Sequence, residues 1–205
     1  WFIDLPAYAQ ELLDGLDGIK FPEHVKSLQR DWIGRSEGAE ITFKLAGSES
    51  SFEVFTTRPD TLFGATFVTL APEHPLSEQL VAGTEFEENW KKLYDEVVNM
   101  SEFDRIKNMN KKKGVFSGKY AVHPLTGDRI PIWFGNFVIA TYGTGAVMAV
   151  PAHDERDHDF AKMYDIPIKR VLVMQEDGSP DAPVNRADVD DGWMVNSSVE
   201  GFDGL

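Results

Sequence analysis

Tyr142-Gly143-Thr144-Gly145-Ala146-Val147-Met148-Ala149-Val150-Pro151-Ala152-His153-Asp154-Glu155-Arg156-Asp157 is the stretch that decides how this chain folds. It reads as a glycine turn, a buried strand, a proline stop and the acidic start of a helix. Ala146 to Val150 carries no charge and suits a strand packed on both faces. Pro151 ends it, because proline cannot donate to a ladder. Asp154 is placed as N-cap, with Asp157 three residues on as the far member of a capping box. Phe160, Ala161 and Tyr164 then recur at helical spacing. A core strand thus ends beside a helix start crowded with Asp154, Glu155, Asp157 and Asp159, where polar groups can converge on a ligand.

Working outward toward the N-terminus, many short strands precede this corner. Ile41, Phe43 and Leu45 alternate with polar neighbours, Gly47-Ser48 turns the chain, and Phe52 and Val54 alternate again, which predicts a hairpin. Thr57 to Asp60 fits a helix cap with Pro59 in the first turn and Gly64 as the stop. Thr66–Leu70 is a further strand, and 76–81 and 85–98 are helical. Short strands are expected at Val115–Phe116, Tyr120–His123, Arg129–Trp133, Phe137–Thr141 and Ile168–Met174. Residues 176–192 are acidic, with Gly178, Pro180 and Pro183, and read as a mobile loop. At the start, Leu5 to Leu16 is helical with Asp4 as cap and breaks at Gly15 and Gly18; a second helix runs from Glu23 to Ile33 and stops at Gly34. The opening helix has an apolar face with no obvious partner, as in a piece of a larger protein. The pattern predicts an α+β fold, a β-barrel-like core with inserted helices, because regular strand–helix alternation is absent.

Composition narrows the function classes. The 205 residues are 42% hydrophobic and 26% charged, which fits a globular chain with one sizeable core or two small ones. No apolar run reaches membrane-span length, and Trp1-Phe2-Ile3-Asp4 has no basic leader. Cysteine is absent, which excludes thiol nucleophiles, disulfides and cysteine zinc sites and fits a cytoplasmic location. The net charge of −14 argues against a broad nucleic-acid footprint. A local contact with a nucleic-acid end through Arg58 and Lys111 to Lys113 stays open, beside the plainer reading of those lysines as a solvated loop.

The residues alone leave each candidate with two readings. Thr56, Thr57 and Thr61 stand where a strand runs into a tight turn. Their hydroxyls can bind a polar group or orient water, or Thr57 can simply cap free N–H groups while Thr56 serves the strand. Asp157 is a helix-cap partner or a carboxylate that grips an ammonium group. His153, Asp154 and His158 invite a metal reading, but recognised zinc spacings are absent, so no metal and no cofactor is expected. Gly143-Thr144-Gly145 is a tight turn and not a phosphate loop.

Three stretches together resemble a known family: Trp32 to Gly38, Phe55 to Gly64 and Gly143 to Asp157. The chain is similar to the editing (connective peptide) domain inserted into class I aminoacyl-tRNA synthetases for isoleucine, valine and leucine. Met148 to Asp157 and Ala71 to Leu76 bring it nearest to bacterial-type leucyl-tRNA synthetase. The resemblance implies a helical lead-in and linker over 1–34 and an editing domain over 35–205. It implies hydrolysis of norvaline, isoleucine or methionine from the 3′ end of mischarged leucine-accepting tRNA. No aminoacylation by this chain alone is expected, since HIGH-type and KMSKS-type motifs are missing. The implied roles are catalysis for Thr56, Thr57 and Asp157, side-chain selection for Thr61, Met148 and Val150, and contact with the tRNA end or its adenosine for Arg58, Tyr142, His153 and Asp154. The implied partners are that tRNA end and the rest of the synthetase, with the isolated domain a monomer and no membrane involved. The alternatives are a non-catalytic insert that positions the acceptor end, and a metal-dependent hydrolase.

Overall fold

The computed structural model describes residues 6–35, 37–100, 112–140, 143–175, 179 and 182–198. Two compact units divide the chain between Gly38 and Ala39. The first holds a short 3-10 turn at Pro6–Tyr8 and two helices, α1 (Ala9–Gly18) and α2 (Glu23–Ile33). The expected cap Asp4 lies outside the described residues. Gly15 does not break α1, which continues to Gly18; no atom crowds that glycine and the helix passes through it. α2 ends where its sequence says, with Gly34 left-handed at φ 65° and its N–H bonded to the Arg30 carbonyl. Tyr8, Leu12, Leu28 and Trp32 remain exposed on these helices.

The second unit is α+β. Its strands are β1 (Ala39–Leu45), β2 (Ser51–Thr56), β3 (Phe67–Leu70), β4 (Gly114–Val122), β5 (Arg129–Gly135) and β6 (Ala146–Ala149), in the spatial order β2-β1-β4-β5-β3-β6. All neighbours are antiparallel except β3 and β5, which run parallel. A crossover is needed between those two, and α3 (Ser77–Val81) and α4 (Glu87–Val98) lie within it. α5 (Glu155–Met163) follows β6, and a small ribbon of β7 (Leu172–Val173) and β8 (Trp193–Met194) stands apart from the main sheet. No helix among the described residues is long and apolar enough to cross a membrane.

The strand alternation sorts side chains into two cores. Phe43, Val54, Val68, Leu70, Ile132, Phe134 and Met148 fill the inner one, closed by Trp90, Leu93 and Val97 of α4. Their opposite-face neighbours Phe67, Val147 and Ala149 pack with Phe160 and Ala161 of α5. The two terminal strands of the sheet, β2 and β6, share no ladder among the described residues. Their Cα atoms nevertheless approach within 8 Å. The sheet therefore curls until its edges meet and leaves a seam between β2 and β6, a barrel-like core without hydrogen-bonded closure.

Three local expectations change. Val115–Phe116 and Tyr120–His123 are one strand, β4, with a register shift between Phe116 and Tyr120. Gly118, at φ +74°, makes that bulge, and the ring of Phe86 lies where its Cβ would be. Phe137 to Ala140 is a turn, not a strand, and Thr141 lies outside the described residues. Asn136 ties that turn back to Lys113 through its N–H and its side-chain oxygen, and the flanking strand β5 is already paired on both sides. Of Ile168–Met174 only Leu172 and Val173 join a ladder.

Gly114 opens β4 opposite Gly135, and its backbone exchanges hydrogen bonds with the Tyr164 hydroxyl at 2.9 and 3.1 Å. A Cβ there would overlap the Phe160 ring of α5. Gly114→Ala should therefore lower stability by about 1–3 kcal/mol, the usual cost of overpacking. A urea midpoint equal to that of the parent protein would show that α5 can shift away freely.

Candidate functional site

The polar groups converge at the seam. A cavity of about 480 Å³ is walled on one side by the end of β2 and the turn after it, through Thr56, Thr57, Arg58 and Thr61. The other wall is β6 and the start of α5, through Met148, Val150, His153, Asp154 and Asp157, with Phe137, Val138 and Ile139 adding an apolar side. Of the residues to which the resemblance gives site roles, all but Tyr142 line this one cavity, and Tyr142 lies outside the described residues; His158, Lys112 and Lys113 do not line it, and Lys111 also lies outside the described residues.

Asp157 is the buried charge of the site, 7% exposed. It does not complete a capping box. Its Oδ2 accepts the N–H of Val150 at 2.9 Å, while the N–H of Asp154 is already bonded to the Val150 carbonyl. The cap itself is Asp154, as expected: its Oδ1 accepts from the N–H groups of Arg156 and Asp157 at 2.8 and 3.1 Å. The N–H that a capping box would use is already taken, and Asp157 turns instead to the strand end, where it takes the Val150 N–H.

The two carboxyls are pushed apart. Burial, with the Asp154 charge beside it, lifts Asp157 to about 7, against which the Val150 N–H acts only in part. Burial pushes Asp154 up as well, but the Arg156 guanidinium and two backbone N–H groups outweigh it and hold Asp154 below the usual carboxylate range. Arg156 lines the cavity and was missed from sequence; its signal was the two-residue spacing from Asp154, across which the guanidinium reaches Oδ2 at 2.9 Å.

The threonines divide their work differently from the sequence expectation. The segment Pro59–Gly64 is a 3-10 turn with Arg58 in the cap position, and Thr57 makes no cap bond. It is Thr56 whose Oγ1 accepts the Arg58 N–H at 3.0 Å. That leaves the Thr56 hydroxyl proton free to donate. Thr57 is exposed and makes no hydrogen bond within the described residues. Thr61 is fully buried, and its hydroxyl donates to the Arg58 carbonyl at 2.9 Å. This bond fixes the rotamer of a residue already stiff at χ1.

Arg58 stands at the rim. Asp60 takes its Nε at 3.1 Å and its Nη2 at 2.9 Å, a forked pair that raises the guanidinium pKa and lowers that of Asp60. His153 has both ring nitrogens committed. Nε2 accepts the N–H groups of Val171 and Leu172 at 3.0 and 3.2 Å, so Nδ1 carries the proton and donates to the Asp188 carbonyl at 3.0 Å. Burial lowers its pKa, in keeping with a neutral ring. His153 thus meets the cavity with carbon edges. Among the described residues no group of three or more His, Asp or Glu is arranged to hold a metal ion.

Comparison with known proteins places this geometry. The family model described as "Leucyl-tRNA synthetase, editing domain" matches residues 30–205. Leucine–tRNA ligases of Nitratidesulfovibrio vulgaris strain Hildenborough and Caldanaerobacter subterraneus subsp. tengcongensis are 49% and 50% identical, each over 100% of this chain and over 25% and 24% of their own length. The chain thus spans about a quarter of the curated relatives it matches. A crystal structure of the Agrobacterium radiobacter K84 agnB2 LeuRS, in a ternary complex with tRNA and LeuAMS, superimposes with a TM-score of 0.68 at 38% identity. The match covers 90% of this chain and 22% of that one. A match from residue 30 to the last residue, over the whole of the seam and both its walls, means that this chain belongs to the leucyl-tRNA synthetase editing-domain family.

Proposed function

We propose that this chain is the post-transfer editing unit of a leucyl-tRNA synthetase, which hydrolyses the ester of norvaline, isoleucine or methionine on the 3′ end of leucine-accepting tRNA. Residues 1–34 then serve as helical lead-in and 35–205 as the editing domain, acting in the cytoplasm beside the rest of the synthetase. The observation that carries this reading is a buried carboxylate facing three threonines across one cavity. A non-catalytic insert that only positions the acceptor end has no use for that desolvated charge.

In this reading the terminal adenosine enters at the rim and its aminoacyl group occupies the seam. Asp157 pairs with the α-ammonium group, whose charge favours the ionised carboxylate and pulls its pKa down from about 7. The free proton of Thr56 and the unengaged hydroxyl of Thr57 donate to the ester oxygen and hold a water against the carbonyl carbon. That water adds to the carbon and gives up a proton, the bond to the ribose oxygen breaks, and the ribose oxygen takes the proton that the water lost. Positioning and hydrogen bonding to the developing oxyanion supply the rate. By the family resemblance Tyr142 contributes to adenosine binding; His153 packs its ring edge there, Asp154 sets the Asp157 position through the cap, and Arg58 meets the RNA backbone.

A second site is needed because a synthetic pocket built for leucine cannot strongly reject norvaline, isoleucine or methionine; one methylene is worth about 1–3 kcal/mol. Thr61, held rigid by its bond to Arg58, and the buried Met148 and Val150 shape the side-chain end of the cavity. Thr61→Ala should admit leucine and hydrolyse correctly charged leucyl-tRNA about ten- to a hundredfold faster than the parent, with norvalyl-tRNA hydrolysis kept. Thr61→Phe should close the cavity to both. An unchanged leucyl-to-norvalyl rate ratio in folded Thr61→Ala would move the selection to Met148 and Val150.

Asp157 gives a prediction with two readouts. Its folded pKa is raised, so its contribution to stability is fully present below its ordinary value of 3.8 and is lost as pH rises through about 7. At about 1.36 kcal/mol per pKa unit, the ionised form costs the fold up to about 4 kcal/mol at high pH. Asp157→Asn keeps an acceptor for the Val150 N–H and removes that cost. It should melt above the parent protein at pH 8, with the gap narrowing as pH falls below about 7 and closing only below about 4, and should lose most deacylation at about pH 7–8. A variant that is stabilised yet fully active would show that Asp157 does not hold the ammonium group. Deacylation by the parent chain should also persist in EDTA; loss on chelation with recovery on added zinc would overturn the hydroxyl-and-carboxylate mechanism.

A further inference from the structure

The acidic segment after β7 is not free of the site. Between Asn185 and Asp191 it runs as a strap along the cavity rim, and its two halves are held very differently. The base is anchored. The Asp188 N–H bonds the Ala152 carbonyl at 2.8 Å, its carbonyl takes the His153 ring, and its carboxylate pairs with the sheltered Arg170 at 3.2 Å. Lys162 holds the Asn185 carbonyl at 2.8 Å, and Ala187 is buried. The tip is lightly held. Among the described residues its side-chain hydrogen bond and its ion pair are both with Arg58: Nη1 donates to the Val189 carbonyl at 3.2 Å, and Nη2 lies 3.9 Å from a carboxylate oxygen of the fully exposed Asp191.

Arg58 is forked onto Asp60 through Nε and Nη2, so Nη1 is the nitrogen that Asp60 leaves for another acceptor. The strap tip places a carbonyl oxygen on it, with the carboxylates of Asp190 and Asp191 alongside in sequence. An acceptor oxygen backed by negative charge, seated on a guanidinium at the mouth of the cavity, has the chemistry of an RNA phosphate. We propose that the strap tip, Val189–Asp191, caps Arg58 in place of a backbone phosphate, and that the acceptor end of the RNA displaces it on binding. This rests on the reading of the chain as a hydrolase of the tRNA 3′ end. Exchange of one acceptor for another keeps Nη1 bonded in both states, and the anchored base keeps His153 and the cavity wall in place while the tip moves. The acids then set how tightly the RNA end is held, and they do so without touching the reacting ester.

The test is the double variant Asp190→Asn/Asp191→Asn, which leaves Asp188 and the anchor intact. Equilibrium binding of uncharged leucine-accepting tRNA should tighten about three- to tenfold at low salt, and the gain should shrink as ionic strength rises. The KM for norvalyl-tRNA should fall in step with kcat unchanged. Neutralising Glu49 and Glu53, two acids elsewhere on the surface, should give a smaller gain. In an Arg58→Ala background the gain from the double variant should disappear, because the coupling runs through that guanidinium. Unchanged or weaker tRNA binding, or an equal gain without Arg58, would overturn the cap. Failure of the parent chain to hydrolyse norvalyl-tRNA would instead overturn the proposed function, and the binding measurement is independent of it.

Discussion

The bond from the Val150 N–H to the Asp157 carboxylate holds the site together. It spans the corner at which β6 stops and α5 begins, and it is made by a charge that would otherwise have no reason to be buried. Without it the N–H of Val150, just past the end of β6, would lose its partner, since Pro151 can pass on no ladder and β6 pairs on one side only among the described residues. With it, the strand carrying Met148 and the helix carrying the acids become one rigid corner. The cost is a carboxyl pushed to about 7, half way to giving up its charge at neutral pH. Carboxylates in that condition gain most from a cation delivered to them, which is the condition the proposed ammonium contact would meet.

The second constraint is the seam. A fully laddered barrel would have filled the space between β2 and β6 with hydrogen bonds. Instead the edges approach and stop short, and each edge strand sends its polar terminus into the gap: Thr56 to Thr61 from one side, Val150 to Asp157 from the other. Unpaired edges are usually a liability. Here the edge groups are spent locally, Arg58 N–H on Thr56, Thr61 on the Arg58 carbonyl and Val150 N–H on Asp157, so the gap stays open and satisfied.

What could be read from sequence was what local periodicity and punctuation encode. Pro151 and Asp154 announced the corner, Gly34 the end of α2, and the alternation at 41–54 the hairpin. The alternation also separated the two faces of the sheet. What could not be read depended on partners far along the chain. Nothing local says that Gly118 kinks one strand and does not divide two, because the reason is the Phe86 ring. Sequence offers Thr57 as the cap and Thr56 as a strand residue; the backbone of the 3-10 turn reverses this, so that the Thr56 hydroxyl takes the Arg58 N–H and Thr57 makes no cap bond. Residues 176–192 look loose because they are acidic and rich in turn residues, yet Asn185 and Asp188 are pinned by basic side chains from 153 to 170. Composition reports solvent preference and is blind to that long-range docking.

The charge balance gains meaning from the same contacts. A chain of net charge −14 would seem ill suited to an RNA end. Among the described residues four cations around the site are paired with acids: Arg58 with Asp60, Arg156 with Asp154, Arg170 with Asp188, and Lys112 with Asp159. Paired cations hold geometry while exerting little attraction at a distance, since each field is cancelled by its neighbour and the remainder is screened within about 10 Å. In the proposed role the domain need not capture tRNA from solution, because a body of the synthetase linked to it would raise the local concentration of the RNA end. Weak intrinsic attraction would then favour release of the deacylated end over retention. On that proposal the acid excess and the paired cations suit repeated turnover on a tethered substrate, where strong polyanion binding would slow the step after hydrolysis.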